Sequence, residues 1–206
     1  SGELWYYRYD SNRGYLRQIL PDESGDAALK ADRIIGVFRQ PTFIDKQIKM
    51  FVAVKSGAAY QLYTYTYEQK TSGSDIITCV GKKDITSWAG GMSDDCKMFT
   101  NGVEVPLNYL YIAKGCDLWR TSYESQADPK AVKSFPAPIT AAEVVISTPN
   151  TISENTKELY TAIFTYDTSA KTSKMYVLDA RTDDLKAYSE VETAIPGKVV
   201  RYLANQ

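Results

Sequence analysis

Short stretches of alternating apolar and polar residues run along the chain, and one two-residue pattern returns at nearly even spacing. An aliphatic residue followed by an aromatic one stands at Leu4-Trp5, Leu62-Tyr63, Leu118-Trp119 and Met175-Tyr176, with steps of 58, 56 and 57 residues. The first three copies share a tail, Tyr9-Asp10, Tyr67-Glu68 and Tyr123-Glu124, four residues after the aromatic. A second pattern, aliphatic–aromatic–β-branched–Ala, precedes three of the pairs: Met50-Phe51-Val52-Ala53, Leu110-Tyr111-Ile112-Ala113 and Leu159-Tyr160-Thr161-Ala162. A third class follows each pair, at Tyr15–Leu20, Ile76–Val80, Val132–Phe135 and Leu185–Tyr188. A fourth stands at Ile34–Arg39, Val144–Thr148 and Val199–Leu203, with a degenerate copy expected near Ala89.

These segments predict strands. Tyr63, Tyr65 and Tyr67 fall on one side of a pleated strand and Thr64 and Thr66 on the other. No stretch sustains a 3.6-residue apolar period; short helical turns are expected only at Asp26–Arg33 and Ser153–Leu159. Four strands in fixed order form a sheet that cannot bury both faces alone, and stacking such sheets around an axis buries them. The expected fold is therefore an all-β β-propeller of four-stranded antiparallel blades, a single domain over residues 1–206. Blades are expected at 3–20 (partial), 34–80, 85–135 and 144–191, with a last strand at 199–203. About 55 residues per unit exceeds the ~40–50 of common blade types, which predicts some long loops. One alternative is that the last strand closes a ring of about four blades with the first pair. The reading favoured here is that the chain is the C-terminal part of a larger propeller, since a closed ring has no reason to omit a strand. Open blade edges then invite self-association or a missing N-terminal part.

Composition narrows the chemistry. The 206 residues carry 24 basic and 25 acidic side chains and no basic block, so nucleic acid is not an expected partner. No apolar run approaches ~18 residues, so no membrane span is expected. The first residues have no charged and apolar leader pattern. Sixteen tyrosines suit half-exposed strands. Histidine is absent, which excludes Ser-His-Asp and Cys-His catalysis and any His-ligated metal built from this chain alone. Cys79, Cys96 and Cys116 lack CxxC spacing and read as free thiols, with a Cys96–Cys116 bridge as the alternative.

The run Gly90-Gly91-Met92-Ser93-Asp94-Asp95-Cys96-Lys97-Met98-Phe99 resembles the C-terminal half of Bacteroidetes surface lipoproteins that carry PKD-like modules followed by repeats. So does Leu110-Tyr111-Ile112-Ala113-Lys114-Gly115 leading into Leu118-Trp119-Arg120. The ending Leu159-Tyr160, Met175-Tyr176-Val177-Leu178 and Gly197-Lys198-Val199-Val200 looks like that family's terminus, so the likeness covers roughly residues 30–206. The resemblance implies a cell-envelope protein, at the periplasm or outer-membrane surface, serving glycan or protein capture. It carries over no catalytic residues, and the family's PKD-like modules and lipid-anchor cysteine have no counterpart in these residues.

Candidate ligand-binding residues lie where the repeat fails or where loops meet. Trp88, in Ser-Trp-Ala-Gly-Gly, could offer its ring to a sugar or peptide, or plug the degenerate blade. Asp117 and Tyr166 fall in loops that a propeller gathers at one mouth of its channel. The adjacent carboxylates Asp94 and Asp95 are candidate oxygen ligands for a calcium ion, or solvated turn residues. The recurring Leu–aromatic pairs read as core between sheets. The expected function is a non-catalytic envelope binding or scaffold module with a glycan or protein ligand. The rival is a carboxylate-dependent glycoside hydrolase or lyase, which needs two carboxyls about 5–9.5 Å apart.

Overall fold

The computed structural model describes residues 2–12, 14–39, 48–71, 73–100, 109–122, 124–147, 158–179, 182 and 194–200. The chain divides into two compact units, 1–92 and 93–206.

In the first unit, β1 (Gly2–Glu3) runs into β2 (Trp5–Asp10), followed by β3 (Gly14–Ile19), β4 (Lys30–Ala31), β5 (Arg33–Arg39), β6 (Ile48–Ser56), β7 (Ala59–Glu68) and β8 (Ile76–Asp84). β5-β6-β7-β8 form an antiparallel meander, β2 and β3 a two-stranded sheet, and β1 pairs β4. Leu4, Leu20 and Leu29, which flank the N-terminal strands, share one core with Val52, Val54, Tyr63 and Tyr65 of the meander. Tyr63, Tyr65 and Tyr67 do occupy one buried face of β7 while Thr64 and Thr66 between them stay half-buried. The opposite face of this sheet is buried too, at Phe51, Ala53 and Leu62.

The second unit contains β9 (Lys97–Thr100), β10 (Tyr109–Lys114), β11 (Asp117–Ser122), β12 (Lys130–Ser134), β13 (Ile139–Ser147), β14 (Glu158–Asp167), β15 (Thr172–Asp179) and β16 (Ile195–Pro196). They form two further four-stranded meanders, β9 to β12 and β13 to β16. Tyr111, Ala113 and Leu118 of the first share a core with Ile163, Tyr176 and Leu178 of the second.

The repeat reaches below the level of strands. Opposite the aromatic of each complete pair stands a β-branched residue of the second strand: Val52↔Tyr63, Ile112↔Trp119 and Ile163↔Tyr176. The fourth copy is thereby in register with Thr161-Ala162-Ile163-Phe164, two residues past the Leu159–Ala162 alignment expected from sequence. The β-branched residues precede their aromatics by 11, 7 and 13 residues, so no constant spacing marks the register; the hairpin tips hold two residues at Gly57-Ala58 and Gly115-Cys116 and four between Asp167 and Thr172. A bulge falls at the matching point of two first strands, at Ile35 opposite Val54/Ala53 and at Thr140 opposite Thr165/Phe164.

Several expectations are corrected. Asp26–Arg33 forms no helical turn. Asp22 accepts from the Ser24 N–H, at 2.9 Å, and from the Ser24 hydroxyl. That tight turn returns the chain so that Leu29 drops into the core and Lys30–Ala31 pair with β1. The degenerate strand near Ala89 is a 3-10 turn, Trp88–Gly90, with Ala89 at φ 53° and Gly90 at φ 69°, and the first strand of that sheet is β9. The Leu185–Tyr188 strand, most of the Ser153–Leu159 turn and the end of the 199–203 strand lie outside the described residues. The last strand paired in the β13–β16 sheet is Ile195–Pro196. The three cysteines are free thiols, Cys96 buried, and no Cys96–Cys116 bridge forms. Among the described residues no helix is long and apolar enough to cross a membrane.

Candidate functional site

The residues singled out from sequence are scattered and mostly occupied. Trp88 is 1% exposed, folded inward by the left-handed Ala89 and Gly90 behind it, so its ring is no binding shelf in this structure. Asp117 opens β11 and accepts from the Ser134 hydroxyl. Tyr166 is half-buried, its N–H on Pro138 O at 3.0 Å. Asp94 and Asp95 are exposed. The Ser93 hydroxyl beside Asp95 holds its carboxyl below the usual range. Among the described residues no three acidic or cysteine side chains converge as a metal cluster would require. Loops do gather within each unit. In the second, Gly115 O accepts from Ile139 N–H and Cys116 O from Phe135 N–H. In the first, Gly57 N–H reaches Asp32 Oδ2 at 2.7 Å and Tyr60 N–H reaches Thr86 Oγ1 at 3.0 Å.

The feature that sequence reasoning missed lies on β2 and β3. Alternation sends Tyr6, Arg8, Leu16 and Gln18 inward and leaves Trp5, Tyr7, Tyr9, Tyr15, Arg17 and Ile19 on the other face. That face is solvent-exposed: Trp5 is 42%, Tyr7 62%, Tyr9 68% and Tyr15 77% accessible. Cross-strand partners order it as Trp5↔Ile19, Tyr7↔Arg17 and Tyr9↔Tyr15. The Arg17 guanidinium lies 5.2 Å from the centre of the Trp5 ring, and the Tyr9 and Tyr15 rings pack 5.2 Å apart, tilted by 56°. Four large aromatics thus stand exposed on one face of a two-stranded sheet. The signal was visible as Trp-Tyr-Tyr-Arg-Tyr, but the repeat assigned Trp5 to the core along with Tyr63.

The hairpin is a firm platform. Asp75, 4% exposed, is the buried charged side chain among the described residues. Its Oδ2 accepts from Arg8 Nη1 at 2.7 Å and from Tyr67 Oη at 2.8 Å, and its Oδ1 from the Lys70 N–H at 3.0 Å. Gln18 donates to its carbonyl. A fully engaged carboxylate of this kind fits a structural clamp rather than an acid–base catalyst. Beside the clamp, between Tyr6, Arg8, Phe38, Arg39, Met50 and Tyr67, a cleft of about 400 Å³ opens.

Compared with protein-family models, characterised proteins and solved structures, the chain matches none of them.

Proposed function

We propose that the protein is a non-catalytic binding and scaffold module of β-propeller type, and that its ligand is a protein engaged on the Trp5–Tyr7–Tyr9–Tyr15 face. The observation that carries this is an equivalence between sheets. Tyr63 shares a core with Leu4, which leads into the sheet before it, and Tyr176 shares one with Leu118 of the sheet before it. Trp5 holds the same place in the repeat as Tyr63 and Tyr176, yet its face meets solvent. A surface shaped for an apolar sheet face is better matched by polypeptide than by a sugar, whose hydroxyls need polar partners in fixed places. The tilt between the Tyr9 and Tyr15 rings also departs from a flat stacking shelf. Meander sheets packed face to face support the propeller reading, with each sheet a blade. The reading keeps the envelope location implied by the lipoprotein resemblance.

The test is selection from a random peptide-display library on the wild-type chain, counter-selected on Tyr7→Ser/Tyr9→Ser, beside a glycan array probed with both. Peptides that need Tyr7 and Tyr9, with a silent array, are the expected result. Array signals that depend on those tyrosines, without peptide binders, would replace the protein ligand with a glycan.

A further inference from the structure

In all three complete sheets the third strand has two neighbours, the second strand on one side and the fourth on the other. β2 is a third strand by its place in the repeat, and β3 is its fourth. Among the described residues β2 has β3 as its single strand neighbour. Leu4 O accepts from Leu20 N–H on the β3 side, so alternation turns the backbone groups of Trp5, Tyr7 and Tyr9 toward the opposite edge. Tyr63, the counterpart of Trp5, faces Val52 at that edge.

Among the described residues this edge also lacks the protection found elsewhere. The outer strands of the complete sheets are bulged at Ile35, Val80, Val132 and Thr140, or short, as β9 and β16 are. Bulges and brevity are how proteins blunt sheet edges. β2 is six residues long and in unbroken register with β3, with no proline, glycine or lysine.

We propose that the free edge of β2 accepts an antiparallel strand from a partner protein, of the pattern aliphatic–aromatic–β-branched–Ala. The proposal rests on the protein-ligand reading above and specifies its geometry. The β-branched residue stands opposite Trp5, as Val52, Ile112 and Ile163 stand opposite their aromatics. Antiparallel counting then puts the aromatic opposite Tyr6 and the alanine opposite Leu4. Tyr6 lines the 400 Å³ cleft with Phe38 and Met50, so the aromatic of the incoming strand enters a space already open beside it. In the second unit the corresponding aromatic, Tyr111, packs with Ile139 and Ile163 of the next sheet, the same relation across strands. Backbone hydrogen bonds along the edge would supply affinity and the alternating side chains specificity.

The experiment uses the full chain and a synthetic nine-residue peptide with the β6 sequence, Ile-Lys-Met-Phe-Val-Ala-Val-Lys-Ser. A control peptide exchanges its Phe and first Val. Amide exchange at Trp5, Tyr7 and Tyr9 is read by NMR, with light scattering on the chain alone. Expected are at least tenfold slower exchange at those three amides with the β6 peptide, and no slowing with the control. Tyr7→Pro should abolish the effect, because the Tyr7 N–H lies outside the β2–β3 ladder and is needed only at the free edge. Tyr7→Ala, which keeps that N–H and removes only the ring, should lose less protection than Tyr7→Pro. Unprotected amides at millimolar peptide would overturn the proposal in the wild-type chain, whatever the variants do. So would amides already protected in the chain alone, whether by its own residues or by a second copy. Tyr7- and Tyr9-dependent library binders combined with unprotected amides would sink strand addition while leaving the protein-ligand reading standing.

Discussion

Arg8 and Asp75, 67 residues apart in the chain, meet at 2.7 Å, and Tyr67 closes the contact from the same oxygen. The pair ties the N-terminal hairpin to the β5–β8 sheet through a carboxylate with a 1% exposed side chain. Removing one partner of a buried pair strands the other charge, at about 3–5 kcal/mol. Arg8 retains 14% exposure, which places Arg8→Ala near the lower end, about 3 kcal/mol. Arg8→Met combined with Asp75→Leu should cost less than the sum of the single changes. Urea denaturation of the four species, read as a double-mutant cycle, checks this; additive costs would mean the clamp is not coupled.

Burial raises the phenols of Tyr63, Tyr65 and Tyr67 above their ordinary value. The folded chain therefore holds these protons at pH values where the unfolded chain, titrating near 10, has released them. Their contribution is fully present below pH 10 and is lost as the pH climbs above it toward the folded values. Melting temperature should fall as pH rises above 10, and absorbance at 295 nm should show late-titrating phenols that join the rest only on unfolding. A titration with all tyrosines ionising together near 10 while the fold persists would contradict the packing.

Trp88 and Trp5 should behave as opposites. Trp88→Ala opens a cavity in the core, and large aromatic deletions cost about 3–5 kcal/mol. Trp5→Ala removes a partly exposed ring and should move stability by about 0.5 kcal/mol or less. The emission of the wild-type chain should accordingly contain a component quenched by acrylamide that Trp5→Ala removes. Equal destabilisation by the two substitutions would contradict these placements.

The two-residue hairpins at Gly57-Ala58 and Gly115-Cys116 turn on glycines at φ 60° and 55°. Space for a methyl group exists at both, since nothing lies within 4 Å of an added Cβ. Gly57→Ala and Gly115→Ala should therefore cost only the left-handed backbone, about 1 kcal/mol each. A thermal melt of each variant checks this, and losses several times larger would point to a contact that the hairpin tips do not show.

Local alternation made much of the fold legible. The tyrosines of β7, the hairpin turns and the order of strands in the meanders all follow from two-residue periodicity and turn residues. Relations that depend on a neighbour were hidden. Trp5 and Tyr63 carry the same pattern, yet one is 42% and the other 5% exposed, because the N-terminal strands pack on Tyr63 and, among the described residues of its own unit, no sheet packs on Trp5. Nothing near Asp75 in the sequence reveals its partner Arg8. The strand at Lys97–Thr100 has only four residues and little alternation, so the repeat drew attention to Trp88 instead.

The relation of Leu4 to Tyr63, and of Leu118 to Tyr176, has a direction. Within each unit one sheet offers one face and its successor receives it on a different one, like bricks with a tongue and a groove. Such a joint is never self-complementary, so it favours head-to-tail growth over two-fold pairing. It also contains no counting device: adding one more copy requires no new chemistry at either side. The number of sheets in an assembly of this kind is therefore a property of how many copies are encoded, and lengthening or shortening by whole repeats is the change its architecture tolerates best.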